Sequence, residues 1–162
     1  MSRTVLRRLH VGASVTALIT ITSFLAATVI SETTGDEAVV ASVKFVIART
    51  VVCLVVAMVA AAVSGRRLGR SRSPLIRRKL RRMQVVAVVG TLVLVPCAIA
   101  LDQLAARGQF GTAFAILQSI ELTGGAVNLT LLLLNLRDGM ALMVQRRSAH
   151  TRYRVPALGH GR

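Results

Sequence analysis

The chain is poor in acidic and aromatic residues. Its 162 residues include six Asp and Glu against 21 Lys and Arg, no Trp and one Tyr, and the net charge is +15. In a soluble protein such a charge indicates nucleic-acid binding. However, 54% of the residues are hydrophobic and only 17% are charged, which is unusual for a soluble domain. The basic residues lie between and beyond apolar runs, so we predict a membrane protein without a nucleic-acid partner.

Cysteines and catalytic motifs are also scarce. Cys53 and Cys97 both lie inside apolar runs and form no CxxC or zinc-binding spacing, so we expect buried packing residues and no disulfide framework. The sequence contains no GxSxG, P-loop or HExxH motif, and no GxGxxG motif followed by an acidic residue. These absences favour a non-enzymatic protein, and the question of an activity stays open.

Four apolar segments are long enough to cross a bilayer as helices, at about 11–30, 43–64, 85–101 and 110–136. The first is longer than the apolar region of a signal peptide and has no A-x-A cleavage pattern, so we expect it to be retained. The predicted fold is all-α: one four-helix transmembrane bundle over residues 1–142, followed by a mobile basic tail over residues 143–162. Pro96 should kink the third helix, because it cannot donate to the carbonyl of Leu92.

Charge predicts the orientation of the bundle. The N-terminus, the loop at 65–84 and the tail are basic, whereas the other two loops hold four acidic residues and one arginine. The positive-inside rule therefore predicts that both termini lie in the cytoplasm. We expect a multi-pass protein of the bacterial cytoplasmic membrane. The nine cations of 66–82 are suited to anionic lipid headgroups, either as a plain loop or with 75–83 as an amphipathic surface helix.

The fourth segment carries a stripe of polar and small residues, here called the polar seam. Its members recur at spacings of three, four, three and seven: Gln118, Glu121, Gly125, Asn128 and Asn135. On a helix these positions share one face. Lipid cannot satisfy a carboxyl or an amide, so this face must pack against protein.

A basic residue of the second segment should pair with Glu121. Arg49 lies roughly 9 Å into the membrane from the outer side and Glu121 roughly 14 Å, a difference that an arginine side chain can bridge. We therefore predict an Arg49–Glu121 ion pair. Lys44 lies nearer the surface, where it either snorkels to the interface or adds a second cation to the outer mouth of a site. With Gln118 and Asn128, these residues either line a site for a ligand or ion, or only fix the helix register.

His10, at the edge of the first segment, is a candidate haem or copper ligand, with Met58, Met83, Lys79 or another subunit as the second ligand. The stretch 6–15, LRRLHVGASV, resembles the first helix of the small bacterial membrane proteins of the copper-resistance-D and J-type protoporphyrinogen oxidase group. The stretch 43–46, VKFV, is similar to their lysine-bearing second helix. The resemblance implies a helical bundle with haem or copper chemistry, in which His10 is a ligand and Lys44 its partner.

Three functions are consistent with these features. The first is an integral membrane protein that binds a small ligand or ion in its polar-lined bundle, or that serves as a subunit of a membrane assembly. The second is a haem- or copper-linked membrane redox protein that uses His10. The third is a proton-coupled small-molecule exporter that acts as an oligomer and requires Glu121 to take up and release a proton.

Overall fold

A computed structural model describes residues 2–68 and 74–153, and the side chains of all these residues except 74–76, 79 and 142–153. All the regular elements within this part of the chain are helical. They are α1 (Arg3–Thr34), α2 (Glu37–Leu68), α3 (Pro74–Val89), a π-helical turn (Gly90–Leu94), α4 (Val95–Ala106) and α5 (Thr112–Tyr153). Because α3, the π turn and α4 follow one another without a break, they form one rod. The predicted all-α four-helix bundle is confirmed.

Four stretches are long and apolar enough to cross a membrane: Arg3–Thr34, Glu37–Leu68, Leu80–Ala106 and Thr112–Ala141. The chain is therefore built as a multi-pass membrane protein. Two ends of the bundle can be distinguished. The acidic end carries the turn at 35–36 and the loop at 107–111, and the basic end carries the N-terminus and the start of α3. Which end faces the cytoplasm stays a prediction.

A tight turn joins α1 to α2 at the acidic end. Gly35 ends α1 with a φ of 67°, a left-handed conformation that glycine adopts without a steric penalty. The carboxylate of Asp36 then accepts a hydrogen bond from the backbone N–H of Ala38 at 2.8 Å and so caps the start of α2. With so short a turn, α1 and α2 form an antiparallel hairpin.

The helices extend beyond the predicted apolar segments. The helix that contains the third span begins at Pro74, a residue favoured in the first helical turn, so residues 74–84 of the predicted loop are helical. They continue directly into the span, so the structure contains no separate surface helix at 75–83. Residues 69–73 lie outside the described part. Likewise α5 continues to Tyr153, which makes the first half of the predicted tail helical, while 154–162 lie outside it.

A π turn lies directly before Pro96, where a kink is predicted. The N–H of Val95 donates to the carbonyl of Gly90, five residues earlier rather than four. Pro96 has no N–H to donate, and the wider turn immediately before it reorganises the hydrogen bonds there. This places the distortion at the level of the bundle where α4 meets the polar seam of α5.

Two apolar clusters hold the helices together. The first lies towards the acidic end and consists of Val40, Leu101, Ala105 and Phe114, and the second lies towards the basic end and consists of Ala17, Leu54, Ala57, Met58 and Val86. The polar seam of α5 faces protein, since Gln118, Gly125, Asn128 and Asn135 are buried and Glu121 is half-buried. The clusters thus leave a polar layer between them.

Candidate functional site

Lys44 and Glu121 form an ion pair in this polar layer. The Lys44 side chain has no solvent-exposed surface, and that of Glu121 is 13% exposed. Their Nζ and Oε2 atoms are 2.5 Å apart, and Nζ also donates to the hydroxyl of Thr28 at 3.4 Å. Lys44 lies seven residues into α2 and Glu121 nine into α5, so each is about 10–14 Å from its helix start at 1.5 Å per residue. The pair therefore joins three helices, α1, α2 and α5, at one level.

The partner of Glu121 differs from the predicted one. Arg49 is exposed on the outside of the bundle, where its guanidinium lies 4.5 Å from the ring centroid of Phe45. Residues five apart on a helix are about 140° apart around its axis, so positions 44 and 49 cannot both face α5. The buried stripe of α2 runs through Val40, Lys44 and Ile47, which excludes Arg49 from the core. Lys44 is accordingly not an interface anchor, and Arg49 does not belong to the polar core.

The amides of the polar seam are buried and only partly hydrogen-bonded. Nδ2 of Asn128 donates to the carbonyl of Val86 at 3.3 Å, next to the π turn. Its Oδ1 atom, and both side-chain polar atoms of Gln118 and Asn135, have no hydrogen-bond partner in the described part of the chain. A buried polar atom without a partner costs about 1–3 kcal/mol. These positions are therefore candidates for contacts with water or with a ligand.

A small cavity adjoins the ion pair. It has a volume of about 40 Å³, and its walls include Glu121, Thr28, Leu25, Leu94 and Gly125. A cavity needs at least about 10–15 Å³ of such volume to hold a water molecule, and the water needs polar partners. The volume is sufficient, and Thr28 and Glu121 are the two polar residues among its otherwise apolar described walls. The carboxylate of Glu121 can therefore face Lys44 and a water-sized guest together.

His10 lies in a different place, at the basic end. Its Nδ1–H donates to the carbonyl of Ala61 at 2.9 Å and lies 3.2 Å from the hydroxyl of Ser64. A carbonyl oxygen can only accept, so Nδ1 carries a proton in this contact, as in the histidine-to-carbonyl contacts that orient metal-ligating imidazoles. Met58 and Met83, two of the predicted second ligands, line the same cavity as His10, whereas the Lys79 side chain lies outside the described part.

The volume of the cavity at His10 limits which of the predicted cofactors can bind there. Its volume is about 200 Å³. An apolar cavity of about 150 Å³ takes up one benzene ring, so this one cannot enclose the four-ring macrocycle of haem. Copper(I) suits an imidazole with thioethers, and these residues fit it better. No group of three or more His, Cys, Asp or Glu suited to a metal ion occurs in the described ranges.

A metal at His10 should be visible in the purified protein. If His10 binds haem, we expect a Soret absorption band that His10→Ala abolishes; if it binds copper, we expect bound copper that the same variant loses. Absorption spectroscopy and elemental analysis measure both, with Arg49→Ala as the control. Colourless protein that retains no copper after exposure to Cu(I) would contradict both roles.

A second ion pair, which the sequence analysis does not predict, lies at the basic end. Nη1 of Arg82 donates to Oδ2 of Asp138 at 2.8 Å, which links α3 to α5. The two charges are 56 residues apart in the sequence, so their pairing can be predicted only when the rotation of each helix about its axis is known. The arginines nearby, among them Arg77, Arg78 and Arg81, are exposed. They leave a basic surface beside this pair.

Comparisons with protein-family models, with curated proteins and with solved structures find no match for this chain. The likeness of 6–15 and 43–46 to the copper-resistance-D group therefore stays a prediction. The candidate site rests on its own geometry: a buried ion pair, a water-sized cavity, and a row of amides along one helix.

Proposed function

We propose that this integral membrane protein binds a small ion or polar molecule between its helices, at the Lys44–Glu121 pair. The observation that carries the proposal is the complete burial of Lys44 beside a carboxylate that also borders a cavity. Ionisable residues inside membrane segments are expensive and usually serve a function. The pair is neutral as a whole, so a cation can compete with Lys44 for Glu121, and an anion with Glu121 for Lys44.

Stability alone is a weak explanation for such a pair. Replacing a buried ion pair by well-packed apolar residues is often neutral or even stabilising. Lys44 and Glu121 lie between two apolar clusters, where leucine or methionine would pack without a desolvation penalty. The alternative, that the pair only fixes the register of the helices, does not explain why a cavity lies beside the carboxylate.

The size of the cavity restricts the ligand. About 40 Å³ accommodates a particle of the size of one or two water molecules. Its walls come from helices packed around it, so a larger molecule would require the helices to move apart. The proposed ligands are therefore a monovalent ion, a water that carries a proton, or a polar molecule of similar size.

Thermal unfolding of the purified protein in detergent tests the proposal. We expect at least one of a panel of monovalent salts, compared at constant ionic strength, to raise the Tm of the wild type. A ligand at 100 times its Kd stabilises the folded state by about 2.7 kcal/mol. The double variant Lys44→Met/Glu121→Leu should fold without responding to that salt.

Arg49→Met is the matched control, since it removes an exposed cation from the same helix and should keep the response. If neither cations, anions nor small polar molecules distinguish the wild type from the folded double variant, the pair only fixes the register. Release or uptake of protons when the ligand binds would favour the proton-coupled exporter over a passive site.

The basic surface at Arg77, Arg78 and Arg81 supports a further part of the proposal, contact with anionic lipid headgroups.

A further inference from the structure

The cavity that contains His10 is a cleft between helices at the basic end, here called the basic-end cleft. Its polar lining consists of His10, Ser14 and Asn135. The remaining described lining residues are mostly apolar and include Val11, Val15, Met58, Met83, Ala87 and Leu136. An apolar pocket with a few placed polar groups is the usual form of a small-molecule site. The cleft is separate from the Lys44–Glu121 pair, so the inference below does not rest on the proposed function.

Asn135 is the feature of the cleft that packing does not explain. Asn135 is only 6% exposed, and neither its Nδ2 nor its Oδ1 atom has a hydrogen-bond partner in the described ranges. Leaving an amide unpaired in an apolar environment is costly, and a leucine at this position would avoid the cost. Asn135 lines the cleft, so a rotation of its side chain would bring the amide N–H group to an occupant that offers a hydrogen-bond acceptor.

Size and charge limit the occupant. The cleft has a volume of about 200 Å³, and a dry apolar cavity of about 150 Å³ binds benzene, so one substituted six-membered ring fits. Among the described residues that line it, none is Lys, Arg, Asp or Glu. A phospholipid phosphate would find no cation here, which favours an uncharged ring with a carbonyl group.

The occupant can enter from the lipid. Four of the lining residues, Val11 and Val15 on α1 and Leu136 and Met140 on α5, are exposed on the outer surface of the bundle. In a membrane these side chains face hydrocarbon, so the mouth of the cleft opens between α1 and α5 towards the acyl chains. A molecule that is dissolved in the bilayer reaches Asn135 without crossing water.

We propose that the basic-end cleft binds the carbonyl-bearing ring of a lipid-soluble quinone, with the Asn135 amide N–H donating to a ring carbonyl. The ring lies among the methionine and leucine side chains, and its apolar tail extends through the mouth between α1 and α5. Thioether sulfurs are polarisable and pack well against ring systems. The proposal concerns binding alone and requires no electron transfer.

Titration of chelator-treated protein in detergent with a short-chain ubiquinone tests the proposal. We expect saturable binding of one molecule per chain and a downward shift of the infrared carbonyl stretch on binding. Asn135→Leu should weaken binding by about fivefold to tenfold, as the loss of one hydrogen bond predicts, and should abolish the shift. Ala87→Phe fills the cleft without removing a polar group and should also prevent binding.

Gln118→Leu is the matched control. Gln118 is a buried, unpartnered amide on the same face of α5, but it does not line the cleft, so this variant should bind as the wild type does. Circular dichroism establishes that each variant is folded. Absence of saturable quinone binding would overturn the proposal. It would also be overturned if folded Asn135→Leu and folded Ala87→Phe bound the quinone with the affinity of the wild type. Displacement of the quinone by phosphatidylglycerol or phosphatidylcholine at equal concentration would identify a lipid site instead.

Discussion

Lys44→Met is expected to destabilise the bundle by about 3–5 kcal/mol, the usual cost of removing one partner of a buried ion pair. Methionine has nearly the length of lysine and fills the same space, so packing changes little. The loss comes from Glu121, whose side chain is only 13% exposed and whose carboxylate would be left without its cation. Reversible unfolding in mixed micelles, followed by circular dichroism, measures the change in the free energy of unfolding.

The double variant separates the charge effect from a general sensitivity of this layer. Lys44→Met/Glu121→Leu leaves no unpaired charge, so its stability should return to within about 1–2 kcal/mol of the wild type. Arg49→Met, which removes an exposed arginine from the same helix, should change stability by less than about 0.5 kcal/mol. If Arg49→Met were as damaging as Lys44→Met, the structural assignment of the Glu121 partner would be wrong.

The polar seam of α5 could be predicted from the sequence because its physical cause is local. Positions three and four apart lie on one helix face, and lipid offers no hydrogen-bond partner to an amide. The structure accordingly buries Gln118, Asn128 and Asn135 against the other helices. The same reasoning gave four spans, since twenty apolar residues suffice to cross a bilayer.

The partner of Glu121 could not be predicted from depth alone. The predicted span began at residue 43 and so placed Lys44 near the surface, whereas α2 begins at Glu37 and carries Lys44 deeper. The choice between Lys44 and Arg49 also depends on how α2 is rotated about its axis. That rotation follows from the buried stripe through Ile47, Val51 and Leu54, which is hard to distinguish from the other apolar residues of so hydrophobic a helix. Apolar composition is nearly uniform around a membrane helix, so the sequence shows where it crosses but not which face it buries.

Two further features depend on tertiary packing. Hydropathy ends where the hydrocarbon ends, whereas helices continue into water, which explains why α5 continues 17 residues beyond Leu136 to Tyr153. The cavity beside Glu121 exists because the side chains of the neighbouring helices do not fill all the space between them. A void of this kind arises from the shapes of side chains on four helices, and no local pattern in the sequence reveals it.

Gly125→Val is expected to destabilise the protein by about 1–3 kcal/mol, because it overpacks the contact between α5 and α1. A Cβ atom at Gly125 would lie 2.8 Å from Cδ2 and 3.4 Å from Cγ of Leu25. Rotation of the leucine could relieve a single methyl group, so Gly125→Ala should be milder. Valine adds two further carbons that cannot all avoid Leu25, and the helices must separate. Unfolding in mixed micelles again provides the measurement.

Two comparisons show whether this close contact is the cause. Gly12→Val introduces the same side chain into α1, where no atom lies within 4 Å of the new Cβ. Since glycine is a poorer helix former than valine, this variant should be neutral or slightly stabilising. Adding Leu25→Ala to Gly125→Val should recover part of the loss, and a sum of the two single effects would show that the residues do not interact.

Because Leu25, Gly125 and Glu121 border one cavity, Gly125→Val should also remove the salt response of the wild type. Retention of that response in the folded variant would place the ion elsewhere.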